Sequence, residues 1–209
     1  MATFTIIRPR DDADARQSSD WADLLITNLT IHGHSKVNDV DDTTPADTAN
    51  IVAALGGSTD LIFYFGHGDE DNWVTGSAST VNAGNVTAAN AKAVVSIACK
   101  TACNLGPTAI TGGAIAWLGF TIKIAIIAPY TNIDPIGDAI VAGLTCFGNV
   151  RTMQQVRDAL ANNFDQLVGD YDTGGQYSGH PAAGVGYYAA IALRDHVVLH
   201  GETNHQPLA

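Results

Sequence analysis

The sequence predicts a three-layer α/β/α sandwich built on a mainly parallel sheet. Three observations predict it. Leu61-Ile62-Phe63-Tyr64-Phe65 is an unbroken apolar run bounded by turn residues, and Ala93-Val94-Val95-Ser96-Ile97-Ala98 is a second. Short runs of this kind read as strands buried on both faces. Segments with helical apolar periodicity alternate with such runs, and that alternation implies a parallel sheet covered on both sides. Finally, the chain has 209 residues, 46% of them apolar. That is enough to bury a sizeable core as one domain over residues 1–209, and too much for a disordered chain.

The elements follow in order. Residues 4–7 (Phe-Thr-Ile-Ile) suit a first strand. Residues 20–29 place Trp21, Leu24, Leu25 and Leu29 on one helical stripe, with Ser18, Ser19 and Asp20 available as caps. Thr44 before Pro45 reads as an N-cap and first helical residue, opening a helix to Leu55. The strand 61–65 comes next. Residues 69–85 are polar and rich in Gly, Ser and Thr, which predicts a loop; 88–92 suits a short helical turn before the strand 93–98. The long apolar stretch 109–130 contains Gly112, Gly113, Gly119 and Lys123, which argue against a membrane helix. It divides into a buried helix, 109–118, and a buried strand, 121–128. Residues 134–147 and 152–167 are helical candidates, 169–186 a glycine-rich loop, and 197–199 a last strand.

Ten Lys and Arg against 21 Asp and Glu give a formal charge of −11. A nucleic-acid or anionic-membrane surface would need a basic patch, so neither partner is expected. No secretory signal opens the chain, whose first apolar run is short and soon followed by charges, so a cytoplasmic location is expected. The three cysteines, Cys99, Cys103 and Cys146, cannot form a disulfide framework. Cys99 and Cys103 lack the spacing of a zinc knuckle, and His32 and His34 have no third ligand nearby, so no metal and no cofactor is expected. Cys146 lies in an apolar stretch and reads as a core residue.

His67 stands between two glycines just past the strand 61–65, and Cys99 directly follows the strand 93–98. Open α/β sheets place their sites at the carboxyl ends of parallel strands. Two neighbouring strands would deliver an imidazole and a thiol to one edge, the minimum equipment for nucleophilic acyl transfer. Cys99 would attack as thiolate and His67 would take or return the proton. The backbone N–H groups of Cys99 and Gly68 are natural oxyanion donors. Gly68 allows close approach without a Cβ, and removing one such donor in other hydrolases costs roughly 3 kcal/mol.

These residues carry a family resemblance. Gly66-His67-Gly68-Asp69-Glu70 followed by Trp73 resembles the GHG-x-E-x-x-W segment of the gingipain-type cysteine peptidases, and Val95-Ser96-Ile97-Ala98-Cys99 resembles their strand ending in Ala-Cys. The His-to-Cys separation, 99 − 67 = 32 residues, is similar to that family's. Residues 124–128 resemble its next strand, 198–202 its late FGDP-type strand end, and 6–12 the start of its domain. The His-Gly and Ala-Cys elements are shared with the wider caspase-like clan. The resemblance implies a caspase-like fold and a cysteine endopeptidase acting on a peptide or protein substrate. It implies a specificity pocket beside the loop after residue 128, where Tyr130 could form an aromatic wall. The family's tryptophan is absent from that loop. It also implies a His-orienting carboxylate early in the domain, for which Asp11 and Asp12 are the candidates. Asp69 and Glu70 flank His67 and could bias its charge, with Asp69 a candidate on the substrate side. Trp73 either packs under the loop or lines the substrate cleft.

Two other functions compete. A catalytically degenerate caspase-like domain could serve as a regulatory or scaffold module, although the intact His67 and Cys99 speak against it. A thiol redox protein using Cys99 and Cys103 is disfavoured because Cys-x-x-Cys is absent.

Overall fold

The computed structural model describes residues 2–41, 44–127 and 133–209. In chain order the elements are β1 (Thr3–Ile7), α1 (Ala13–Ile31), β2 (Ser35–Val40), α2 (Thr48–Leu55), β3 (Leu61–Phe65), β4 (His67–Gly68), β5 (Trp73–Thr75), β6 (Ala78–Val81), β7 (Ala93–Ile97), α3 (Leu105–Thr111), β8 (Ala116–Phe120), α4 (Pro135–Leu144), α5 (Met153–Tyr171), α6 (Ala183–His196) and β9 (Val197–Gly201). Short 3-10 turns lie at Val86–Ala89 and Thr145–Gly148.

Six strands form the main sheet in the order β2-β1-β3-β7-β8-β9. All neighbours are parallel except β8 and β9. Period-two alternation divides the apolar side chains between two cores. Phe4, Ile6, Leu61, Phe63, Phe65, Val95 and Leu118 face α1, α4, α5 and α6; Ile62, Tyr64, Val94 and Trp117 face α2, α3 and a small second sheet. The predicted three-layer, mainly parallel architecture is the one observed.

Several elements differ from expectation, each for a local reason. Helix α1 begins at Ala13 rather than near residue 20, because Asp12 accepts the Ala15 amide and caps it there. Helix α2 is capped by Asp47, not Thr44. The expected helix 109–118 is replaced by α3, which ends at Thr111. Gly113 follows with φ +101, and a Cβ there would run into Asn90. The chain then enters the sheet early, so β8 occupies 116–120, and 121–127 is not a strand. That segment is apolar because it packs Ile124 and Ile127 into the α1 side of the core from beyond the sheet edge. The expected loop 69–85 contains β5 and β6, which form an antiparallel sheet with β4 just before it. The edge strand β2 is largely polar, and helix α6 is apolar through most of its length rather than along one stripe, so neither was expected; α5 and α6 also take residues 169–171 and 183–186 of the expected glycine-rich loop.

Candidate active site

The register of two strands builds the site. In the β3–β7 ladder Phe65 pairs with Ile97, an offset of 97 − 65 = 32. His67 and Cys99 are separated by the same 32 residues, so each follows its strand by two positions at the same level. The Gly66 amide donates to the Ile97 carbonyl at 3.3 Å and extends the ladder one step further. His67 and Cys99 both line one cavity of about 60 Å³, together with Gly66, Ile97, Ala98, Ile124 and Ile126. Asp14, Ser18 and Trp21 of α1 complete its lining.

Close packing dictates the residues around His67. A Cβ on Gly66 would lie 2.9 Å from the Tyr64 hydroxyl and 3.3 Å from Pro9; one on Gly68 would lie 2.6 Å from Thr101 Cγ2 and 3.1 Å from Ala98 Cβ. The histidine strand therefore lies directly on the residues flanking Cys99. The fully buried Tyr64 sits beneath, its hydroxyl 2.8 Å from the His67 carbonyl and 3.1 Å from that of Val74. Burial raises the Tyr64 pKa, so it remains a neutral donor.

His67 Nε2 lies 2.8 Å from Asp12 Oδ2. The other oxygen of Asp12 accepts the Ala15 amide at 2.9 Å, so one carboxylate caps α1 and orients the ring. The Ala15 amide is the largest influence holding this carboxyl below its ordinary range; desolvation opposes it and the bond to His67 adds to it. Of the two carboxylates considered, Asp12 meets the ring, while Asp11 Oδ2 accepts the Gly76 amide and ties down the β5–β6 turn. The segment carrying both is itself fixed. Arg8 is bound to Asp39 at 2.8 Å, to Asp41 at 3.2 Å and to Asp23, and Arg10 reaches Ser19 and Asp23. With Nε2 engaged, Nδ1 is the ring nitrogen left without a hydrogen bond among the described residues.

This double use of Asp12 can be separated by mutation. Asn caps helices as well as Asp. If the site cleaves peptides, as the sequence leads one to expect, Asp12→Asn should leave the melting temperature nearly unchanged and lower turnover about tenfold, the scale of one charge-assisted hydrogen bond. Asp12→Ala should lose both the turnover and about 1 kcal/mol of stability. Thermal unfolding measured beside peptide turnover checks both.

Cys99 is half-buried, and its Sγ accepts the Ile124 amide at 3.4 Å. Its own N–H donates to none of the described residues. The next residue, Lys100, has φ +58, a left-handed conformation that costs a non-glycine residue about 1 kcal/mol. The turn is held from below by Thr101, buried and 2.8 Å from Ser96 Oγ, and from the side by His200, whose Nε2 lies 2.8 Å from the Ala102 carbonyl. Cys103 points its thiol at the Thr121 carbonyl. Burial, and then Glu70, raise its pKa against the pull of Lys100, opposite to what a redox thiolate requires. All three cysteines are free thiols.

The remaining expected site residues lie elsewhere. Trp73 is fully buried, stacked on Tyr64 with ring centroids 4.1 Å apart, and donates to Ser96 Oγ at 2.9 Å; it packs under the loop and is not part of the cleft. Asp69 is exposed and builds a turn, accepting the Asp71 amide and the Asn72 side chain, each at 2.9 Å. Glu70 pairs with Lys100 at 2.9 Å rather than with His67. Tyr130 lies outside the described residues. The α1 contribution was not foreseen. Asp14, Ser18 and Trp21 are spaced for one helical face, but the pattern is legible only once the helix starts at Ala13, behind its Asp12 cap. Ser18 donates to the Ala15 carbonyl, and Trp21 Nε1 donates to Asp134 at 2.7 Å. Asp134 also accepts from Gln17 and from the Gly137 amide, locking α1 to the start of α4. Asp14 is thus the one carboxylate among the lining residues.

Among the described residues no group of three or more His, Cys, Asp or Glu could hold a metal ion, and no helix is long and apolar enough to cross a membrane. No protein-family model and no curated protein matches the sequence. Solved structures do match. A complex of the pro- and mature domains of RgpB from Porphyromonas gingivalis superposes with a TM-score of 0.64 at 18% identity, over 97% of this chain and 47% of that one. The Arg-specific cysteine proteinase gingipain R (RgpB) gives 0.60 at 16%, over 98% and 47%. A structure described as a protease gives 0.55 at 16%, over 97% and 48%. The chain therefore has the mixed α/β fold of the gingipain and caspase-like peptidases, and it spans about half the length of these neighbours.

Proposed function

We propose that residues 1–209 act as one cysteine peptidase domain, with Cys99 as nucleophile and His67 as its acid–base partner. The observation that carries this reading is the shared 32-residue offset, which brings both side chains to one cavity at the sheet edge. Asp12 holds the ring by Nε2, and Nδ1 takes the Cys99 proton. The thiolate adds to the peptide carbonyl, and the Cys99 and Gly68 amides receive the oxyanion. His67 then protonates the departing amine, leaving a thioester that water hydrolyses by the reverse route.

The fold likeness supports a peptidase, and the Arg specificity of the neighbour gingipain R directs attention to Asp14. This carboxylate is the charged group that α1 brings to the cavity, and it favours a basic side chain on the residue before the scissile bond. The test uses irreversible thiol-directed peptide probes bearing Arg, Lys or Leu at that position, with Cys99→Ala as control. Labelling confined to Cys99 is expected. Arg and Lys should exceed Leu by about fivefold, the scale of a partly screened ion pair, and Asp14→Asn should erase the preference. Labelling of Cys103 instead would overturn the assignment of the nucleophile. No labelling by any probe would favour the catalytically silent scaffold.

A further inference from the structure

Lys100 follows the candidate nucleophile in a backbone conformation that glycine or asparagine would adopt more easily. A lysine there needs a reason in its side chain, and the surroundings supply one. Its ammonium lies 2.9 Å from Glu70 Oε1, three residues beyond His67. Its amide donates to the Ile122 carbonyl at 2.9 Å, on the segment that goes on to form the cavity wall. The Glu70 carbonyl accepts the Asn104 and Leu105 amides at 3.2 and 2.9 Å, in place of a side-chain cap on α3. The Asn104 side chain, released from that task, donates to Asp71 at 3.1 Å. The histidine loop and the cysteine loop thus cap and clamp each other, and Glu70 carries three of the four bonds.

Resting on the peptidase reading above, we propose that Lys100 and Glu70 are positioning residues: their ion pair fixes the distance between His67 and Cys99, and so sets how readily the thiol reacts. The pair joins the two loops on the outer side of the site, where Tyr64 and Thr101 already fix them from the core side. Glu70 is the main influence raising the Lys100 pKa, with Cys103 and Cys99 adding to it, which places the ammonium within the field of both thiols. An alternative role follows from that field. Lys100 could simply stabilise a Cys99 thiolate, in which case Glu70 would weaken it.

Glu70→Gln separates the two roles by sign. The substitution keeps the carbonyl that caps α3 and leaves the ammonium unpaired. A clamp predicts that Cys99 reacts more slowly; a direct field predicts that it reacts faster. The experiment measures the rate of Cys99 alkylation by iodoacetamide at pH 7, followed by peptide mass spectrometry, and in parallel kcat and KM on a peptide substrate. Glu70→Gln and Lys100→Gly, the latter suited to the left-handed backbone, should each slow alkylation and lower kcat about tenfold with KM and melting temperature little changed. The charge-reversed double variant Glu70→Lys with Lys100→Glu should recover most of the loss. Faster alkylation in Glu70→Gln, or wild-type rates in both single variants, would overturn the clamp. If the wild type cleaves no peptide but alkylation slows as described, the clamp stands and the peptidase reading fails.

Discussion

Cys99→Ala is expected to abolish peptide cleavage, lowering turnover by roughly 10⁴-fold or more, the scale seen when a covalent nucleophile is removed. The fold should survive. The substitution deletes one sulfur atom at a half-buried position beyond the end of β7, and the only hydrogen bond lost among those described is a long one from the Ile124 amide. The Cys99 amide, Thr101 and the Gly68 contact are backbone or neighbouring features that Ala preserves. Cys146→Ala is the matched control. That residue lies in the 3-10 turn after α4, packed against the α1-side core and not among the residues lining the cavity. It should turn over substrate at the wild-type rate. Equal turnover by wild type and Cys99→Ala, measured on the same peptide with intact mass confirmed, would reject Cys99 as nucleophile.

What the sequence revealed of this site depended on how local the signal was. The two strands were legible because each is an apolar run buried on both faces; that His67 and Cys99 each follow by two residues emerges only with β7 ending at Ile97. The fold class followed from the same runs. Asp12 was legible only as one of two carboxylates, because nothing local distinguishes Asp11 from Asp12. The choice is made by the register of α1, whose cap turns Asp12 toward the ring and leaves Asp11 to the Gly76 amide. Trp73 was ambiguous because an aromatic residue in a polar loop looks the same whether it faces a cleft or a core; its indole is taken by Ser96 on β7, a long-range contact. The boundary near residue 116 was misplaced because 109–128 is apolar throughout. Burial under a helix layer and burial as a cavity wall leave the same composition, so the segment 121–127 reads as a strand though it pairs with none. The Glu70–Lys100 bond was beyond reach for a similar reason. Thirty residues separate the partners, and only the β3–β7 register brings them together.

His67→Ala should reduce turnover by roughly 10²- to 10⁴-fold, the range for a positioned acid–base group. The loss should be chemical rather than structural. His67 is about a third exposed, and without it Asp12 still accepts the Ala15 amide and caps α1. The pH dependence gives the sharper reading. A carboxyl whose folded pKa is depressed contributes above its unfolded pKa and loses that contribution only as pH falls through the folded value. The Ala15 amide and His67 together hold Asp12 below the ordinary carboxylate range, so its protonation belongs to the acid end of the profile. A limb closer to neutrality therefore cannot be assigned to Asp12. If that limb is His67, it must vanish in His67→Ala and persist in Asp12→Asn, whatever the absolute rates. A profile of kcat/KM against pH for the three proteins decides the matter: a neutral limb surviving in His67→Ala would make His67 a structural residue, and a limb lost with Asp12→Asn alone would transfer the proton chemistry to the carboxylate.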